Sequence, residues 1–159
     1  MKTITIKQPW ALLVAMGIKN IENRTWKLPE KYKGKRVLIH ASAKNEPSFN
    51  FTYEQSRAMD HLSEDLVFPT SAIIGSVIFT DCVINHPSIW AEKSYYAQTN
   101  KNNPDCDDDR IVYNWVLEHP ILFPEPIPTK GKLSFWDYPN ILAEPEEKDG
   151  PLFCHCQVS

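Results

Sequence analysis

Thr3 to Trp26 reads TITIKQPWALLVAMGIKNIENRTW, and its hydrophobic period changes twice. Thr3–Lys7 alternates Ile4 and Ile6 with polar residues, as a half-buried strand does. Pro9 suits a first helical position, and the apolar run after it predicts a helix from Pro9 to about Met16. Gly17 is the expected stop, because glycine takes positive φ without steric penalty. Asn20–Trp26 returns to period 2 as a second strand. That period sets Glu22, Arg24 and Trp26 on one face and Ile21, Asn23 and Thr25 on the other. The junction, GIKNIENR, therefore gathers an amine (Lys19), a carboxylate (Glu22) and a guanidinium (Arg24) where a helix gives way to a strand. Such a cluster suits recognition of a polar, partly anionic ligand, and it also suits proton transfer.

Working outward, Lys35–Ala41 (KRVLIHA) reads as a third strand. A helix is expected from Pro47 to about Leu62, with Phe51, Ala58, Met59 and Leu62 on one face. Ala72–Val83 (AIIGSVIFTDCV) is a long β-branched strand, and Gly75 marks a bulge or a close backbone approach. His86–Ala97 holds Trp90, Tyr95 and Tyr96 in a context without clear period, a helix being one reading, and Asn100–Arg110 is read as an acidic loop. Ile111–Phe123 reads as a strand or strand pair broken at Pro120. Pro124, Pro126 and Pro128 fix an extended connection, and Lys132–Tyr138 forms the last strand. Strands with helices inserted between them and no βαβ rhythm predict a mainly β fold with inserted helices (α+β), a small decorated barrel. One domain over residues 1–138 is expected, with an acidic insertion near 97–110 and a C-terminal tail over 139–159.

The chain has 159 residues, a net charge of −3, five Trp and 13 Pro against five Gly. Proteins that wrap long duplexes carry a basic excess, because their affinity comes from neutralising phosphates. This composition disfavours that class and points to one nucleotide or a short single strand in a local basic cleft. The longest uncharged N-terminal run, Gln8 to Ile18, is too short to span a bilayer, and no signal-peptide pattern is evident. Cys82, Cys106, Cys154 and Cys156 form no CxxC pair. A cytoplasmic chain with reduced thiols and no membrane partner is expected.

Gly17, Lys19, Glu22 and Arg24 match the G-x-K-x-x-E-x-R signature of the ASCH domain family. Ile6–Ala11 (IKQPWA), Gly34–Ser42 ending in IHAS, Ala72–Val83, Trp115–Glu118 (WVLE) and Pro124–Trp136 resemble further segments of that family in order. The resemblance runs from about Thr3 to Tyr138. It implies a PUA-like β-barrel with a cleft for RNA or a nucleotide. One branch resembles an amidohydrolase acting on N4-acetylcytidine, with the signature lysine in a catalytic role, and another member resembles a ribonuclease. The amidohydrolase branch carries Thr where this chain has Glu22, which tilts the reading towards recognition.

Each candidate residue has a plain structural reading beside the functional one. Lys19 contacts a phosphate, acts as a base or nucleophile if desolvated, or is simply solvated. Glu22 and Arg24 have Cβ atoms about 6.5 Å apart on one strand face. They form an ion pair, or Glu22 reads a base amine or relays a proton. Trp10 stacks on a base or staples the helix to the barrel. Trp115 shares a strand face with Tyr113 and Leu117, which suits the core better than the ligand. His40 reads first as a satisfied structural histidine and second as a cleft residue, with Ser42 on the same face as a donor to phosphate or sugar. Lys130 and Lys132 flank Gly131 as exposed lysines or a basic lip. No cofactor or metal is expected. Asp105, Asp107 and Asp109 begin like an EF-hand loop, but Arg110 and Val116 stand where Gly and Glu are required. Cys154-His155-Cys156 offers too few zinc ligands. The function classes are therefore an RNA- or modified-nucleotide-binding domain, a hydrolase using Lys19 and Glu22, or a protein-interaction domain.

Overall fold

The computed structural model describes residues 1–94 and 111–139. Six strands and two short helices follow one another as β1 (Lys2–Ile6), α1 (Trp10–Ala15), β2 (Ile21–Arg24), β3 (Arg36–Ala41), α2 (Tyr53–Ala58), β4 (Ala72–Val83), β5 (Tyr113–Pro128) and β6 (Phe135–Asp137). They form one sheet in the order β2-β5-β4-β3-β1-β6. All neighbours run antiparallel except β1 and β3, which are parallel.

The sheet curls until its two ends meet. Phe135 on β6 lies nearly parallel to Trp115 on β5, with centroids 5.7 Å apart. Three strands separate β2 from β1 in the sheet, yet Arg24 Nη2 donates to the Thr5 carbonyl at 3.1 Å. Inside the curl, Ile4, Ile6, Val37, Ile39, Val77, Phe79, Trp115 and Leu117 form the main core with Leu12 and Val14 of α1. Residues 11–15 of α1 are all buried, as expected of a helix that is apolar all round. A smaller cluster of Leu13, Ile21 and Trp90 joins α1 to the segments beyond β2.

Gly75 shows why β4 begins as it does. A Cβ there would lie 2.3 Å from the Ile121 carbonyl and 3.0 Å from the Ala15 Cβ. The missing side chain lets β5 approach from one side and α1 from the other. The β4 registers with β5 shift at this point, so the expectation of a bulge or close approach is met.

Several expected boundaries are corrected. The helix predicted over Pro47–Leu62 shrinks to Tyr53–Ala58, because Thr52 and Gln55 close a reciprocal capping box that fixes the start of the helix. Phe51, Ala58, Met59 and Leu62 still share one face, against Leu13, Ile21 and Trp90. Of His86–Ala97, the helical reading does not hold for 86–94, which run as turns and irregular backbone. The strand expected to break at Pro120 continues to Pro128. Three of its four prolines fall in register shifts: His119 and Pro120 together face Val77, and Pro124 and Pro126 lie between the Leu122 and Ile127 pairings, while Pro128 ends the strand opposite Ala72. A bulge leaves residues unpaired, so a missing N–H costs the ladder nothing there. The last strand spans Phe135–Asp137 rather than Lys132–Tyr138, since the preceding loop turns at Ser134 with φ 58°. The expected insertion at 97–110 lies outside the described residues, as does the tail beyond Pro139.

Replacing Gly75 by Ala forces a Cβ against a backbone carbonyl that no rotamer change can move. The expected cost is about 3 kcal/mol, the upper end for overpacking a close-fitted site. A urea titration should show the midpoint falling with an unchanged slope.

Candidate functional site

The site begins at the end of α1. Gly17 adopts φ 77°, and its N–H donates to the Val14 carbonyl while that of Ile18 donates to Leu13, at 3.0 Å each. This is the paired bonding of a Schellman stop, and its apolar contact is supplied by Ile18 and Leu13 in the second cluster. The Lys19 N–H shares the Leu13 carbonyl, so the turn fixes where the lysine leaves the backbone. β2 follows at once. Ile21 is driven into the second cluster, which by alternation sends Glu22 to the opposite face.

Lys19 and Glu22 are both buried, at 5% and 6% exposure. Lys19 Nζ donates to the Ile21 carbonyl and lies 3.4 Å from Glu22 Oε2. It also sits over the Trp10 ring, 5.7 Å from the centroid. Arg24 Nε stands 2.9 Å from Glu22 Oε1. Both carboxylate oxygens are thus engaged by cations, and Glu22 anchors the pair. Burial pushes the Lys19 ammonium below the ordinary lysine value, and the Glu22 carboxylate pulls back against that shift. An ammonium has three donors, and Ile21 and Glu22 occupy two. The third has no partner among the described residues.

These groups line a cleft of about 1040 Å³. Trp10, Lys19, Glu22, Arg24, Ser42 and Lys132 all reach it. Ser42 also accepts from the Lys44 N–H at 3.2 Å. Trp10 both walls the cleft and packs edge-on against Phe49 and Phe51, at 5.6 and 5.4 Å. The packing role expected of Trp10 and its place on the cleft wall thus coincide.

Three other candidates lie outside the cleft. Trp115 is fully buried in the core, with its Nε1–H on the Trp26 carbonyl at 3.2 Å. The curl of the sheet turns its strand face inward. His40 is buried, and its Nε2 bonds to the Thr129 carbonyl at 2.9 Å. Its Nδ1 has no partner, and burial lowers its pKa. Lys130 is exposed beyond the cleft wall.

The structure also supplies residues that the sequence did not mark. A Cβ on Gly131 would lie 2.4 Å from the His40 ring, so the loop carrying Lys132, Leu133 and Ser134 rests directly on that histidine. Thr5 Oγ1 ties the same loop through the Lys132 carbonyl, at 2.8 Å. Asn23 donates to the Trp90 carbonyl at 2.9 Å and accepts from the Asn114 amide at 2.9 Å. That clamp holds Trp90 and Glu92 to the cleft wall. Only the β2 face pattern hinted at Asn23. Phe49, Asn50 and Trp90 come from irregular segments with no period to read. Among the described residues no His, Cys, Asp or Glu cluster could hold a metal ion. The aspartates at 105–109 and Cys154–Cys156 lie outside those residues. No helix among the described residues is long and apolar enough to cross a membrane.

The molecule is a curled, mainly β half-barrel with inserted helices and a cationic cleft at its rim. The family described as ASCH domain matches residues 4–126, and the chain belongs to that family. Activating signal cointegrator 1 from Homo sapiens is 27% identical over 140 residues, covering 84% of this chain and 21% of that protein. The Mus musculus protein of the same name is 24% identical over 138 residues, with the same coverage of 84% and 21%. The chain thus spans about a fifth of the length of these curated relatives. The crystal structure of ASCH from Zymomonas mobilis superposes with a TM-score of 0.47 at 15% identity, covering 80% of this chain and 72% of that one. A point mutant of the same bacterial protein gives 0.46 at 14%, covering 80% and 74%.

Glu22→Gln removes the charge that supports the Lys19 ammonium and leaves the desolvation that opposes it. The Lys19 pKa is expected to fall further. A titration followed by NMR at the Lys19 Cε–Hε signals checks the direction, and an unchanged or higher value contradicts the pairing.

Proposed function

We propose that this domain binds a single-stranded RNA segment or a single, modified nucleotide in the cleft between α1, β2 and the loop 129–134. The observation that carries this reading is Lys19. A buried ammonium with one donor left over, beside an indole face and at the floor of a polar cleft, suits a phosphate or a base oxygen. Arg24 adds a second cation, part-exposed at 27%, and Lys132 a third at the lip. The cleft is at the upper end of small-ligand sites, which run to roughly 1,000 Å³, so a nucleotide with a short flank fits it. Both oxygens of Glu22 already face cations, so its role is to hold Lys19 and Arg24 in place.

The described residues carry 14 Lys and Arg against 12 Asp and Glu, a balance of +2 within a chain of −3. That local balance suits a small anionic ligand better than a long duplex.

A second reading rests on the lowered Lys19 pKa. A lysine that loses its proton more readily offers a neutral amine as base or nucleophile, as a hydrolase of an acylated nucleobase or of an RNA phosphodiester requires. Turnover of N4-acetylcytidine or of short RNAs, rising with pH as Lys19 deprotonates and lost in Lys19→Ala, is its expected signature. Absence of turnover on both substrates removes this reading and leaves binding.

For the binding reading, fluorescence anisotropy with short RNAs and nucleoside monophosphates provides the test. Lys19→Ala is expected to weaken binding at least about tenfold, the scale of a lost charge-assisted hydrogen bond. The slope of log K against log salt should flatten by about one. Equal affinity in wild type and Lys19→Ala, or no saturable binding across the panel, overturns it.

A further inference from the structure

A second cavity shares a wall with the cleft. It measures about 210 Å³ and is lined by Leu13, Phe49, Phe51, Met59, Leu62 and Phe68, together with Gln8, Pro9 and Asn45. We propose that this pocket is a subsite for an alkyl or aryl substituent carried by the ligand of the cleft. The proposal rests on the nucleotide reading above and narrows it to a ligand with an apolar arm.

Size and polarity define the occupant. An engineered apolar cavity of roughly 150 Å³ stays dry and takes benzene, so this pocket has room for one aromatic ring or a short branched chain. It offers almost nothing to a polar group. Gln8 is 2% exposed, and its side chain is already committed: Nε2 donates to the Pro69 carbonyl at 2.7 Å and Oε1 accepts from the Leu12 N–H at 3.0 Å. Asn45 stands exposed at the rim. An ordinary nucleobase seated here would lose the hydrogen bonds of its edges to water without replacement. A hydrocarbon loses none.

Continuity joins the pocket to the charged floor. Phe49 lines both cavities and is 43% exposed, so its ring is open to a ligand from either side. Its ring meets Trp10 edge-on at 5.6 Å, and Trp10 in turn carries Lys19 over its face at 5.7 Å. Two ring contacts thus separate the ammonium from the apolar pocket. A ligand whose polar end reaches Lys19 can lay an apolar arm across Phe49 and seat it against Met59 and Leu62.

The test compares adenosine 5′-monophosphate with N6-benzyladenosine 5′-monophosphate by isothermal titration, with benzyl alcohol alone followed by NMR at the Met59 methyl. The benzylated nucleotide is expected to bind at least about tenfold more tightly, the scale of a well-buried apolar group. Leu62→Trp fills the pocket without entering the cleft, and it should abolish that advantage while the parent nucleotide binds as before. Met59→Trp gives the same readout by an independent route if Leu62→Trp does not fold. Equal affinity for the two nucleotides overturns the subsite and leaves the nucleotide reading standing. So does an advantage that survives both filled variants. Failure of both nucleotides to bind, with benzyl alcohol still shifting Met59, overturns the proposal, and the panel of RNAs and nucleoside monophosphates then decides the nucleotide reading separately.

Discussion

The contact of Trp115 with Phe135 across the curl is the interaction on which the rest of this structure depends. These residues lie on β5 and β6, which have β4, β3 and β1 between them in the sheet. Their rings lie within 7° of parallel, with Trp26 and Phe79 packed edge-on around them. Flat sheets have no reason to bring such distant strands together, and burial of large aromatic surfaces supplies one. With the sheet curled, Arg24 reaches the Thr5 carbonyl, and the β1 and β2 sides of the molecule become two walls of one cleft.

That closure explains how a lysine and a glutamate come to be buried side by side. Burying a charge is costly unless it is paired and hydrogen-bonded. Lys19 is offset by the Ile21 carbonyl, by Glu22 and by the Trp10 face, and Glu22 by two cations. The arrangement leaves an excess of positive charge facing the cleft. A site that maximised stability alone would place apolar side chains here. The Schellman stop at Gly17 and the burial of Ile21 fix the geometry from either side. A slip of one residue in β2 would send Glu22 and Arg24 to the opposite face.

Much of this was legible in the chain. Ala72–Val83 has the limits its sequence predicts, because β-branched residues and a bulge glycine are local signals. The stop at Gly17 was legible for the same reason. The helix predicted over Pro47–Leu62 came out too long because its apolar face continues past its ends, while the Thr52 capping box sets the true start. Pro120 looks like a break in the sequence because an isolated strand has no place for it. The pairing with β4 provides one, in a bulge that no local pattern announces. Trp115 and His40 point the same lesson. Alternation assigned each to a strand face, but which face turns inward depends on the curl. Asn23, Phe49, Trp90 and Gly131 became visible only once distant segments met.

The sequence by itself determined the β-rich class, the helix–glycine–strand junction and the set of charges that the junction carries. Each of these rests on period, turn chemistry and spacing within a few residues. Only the tertiary structure decided that Lys19 is desolvated, that Glu22 is spent holding two cations, and that an apolar pocket adjoins the cleft. Those properties are set by groups far apart in the chain, from Thr5 and Phe49 to Trp90 and Lys132. Burial and electrostatic environment follow from what lies nearby in space, and a linear pattern records that only where neighbours in space are also neighbours in sequence.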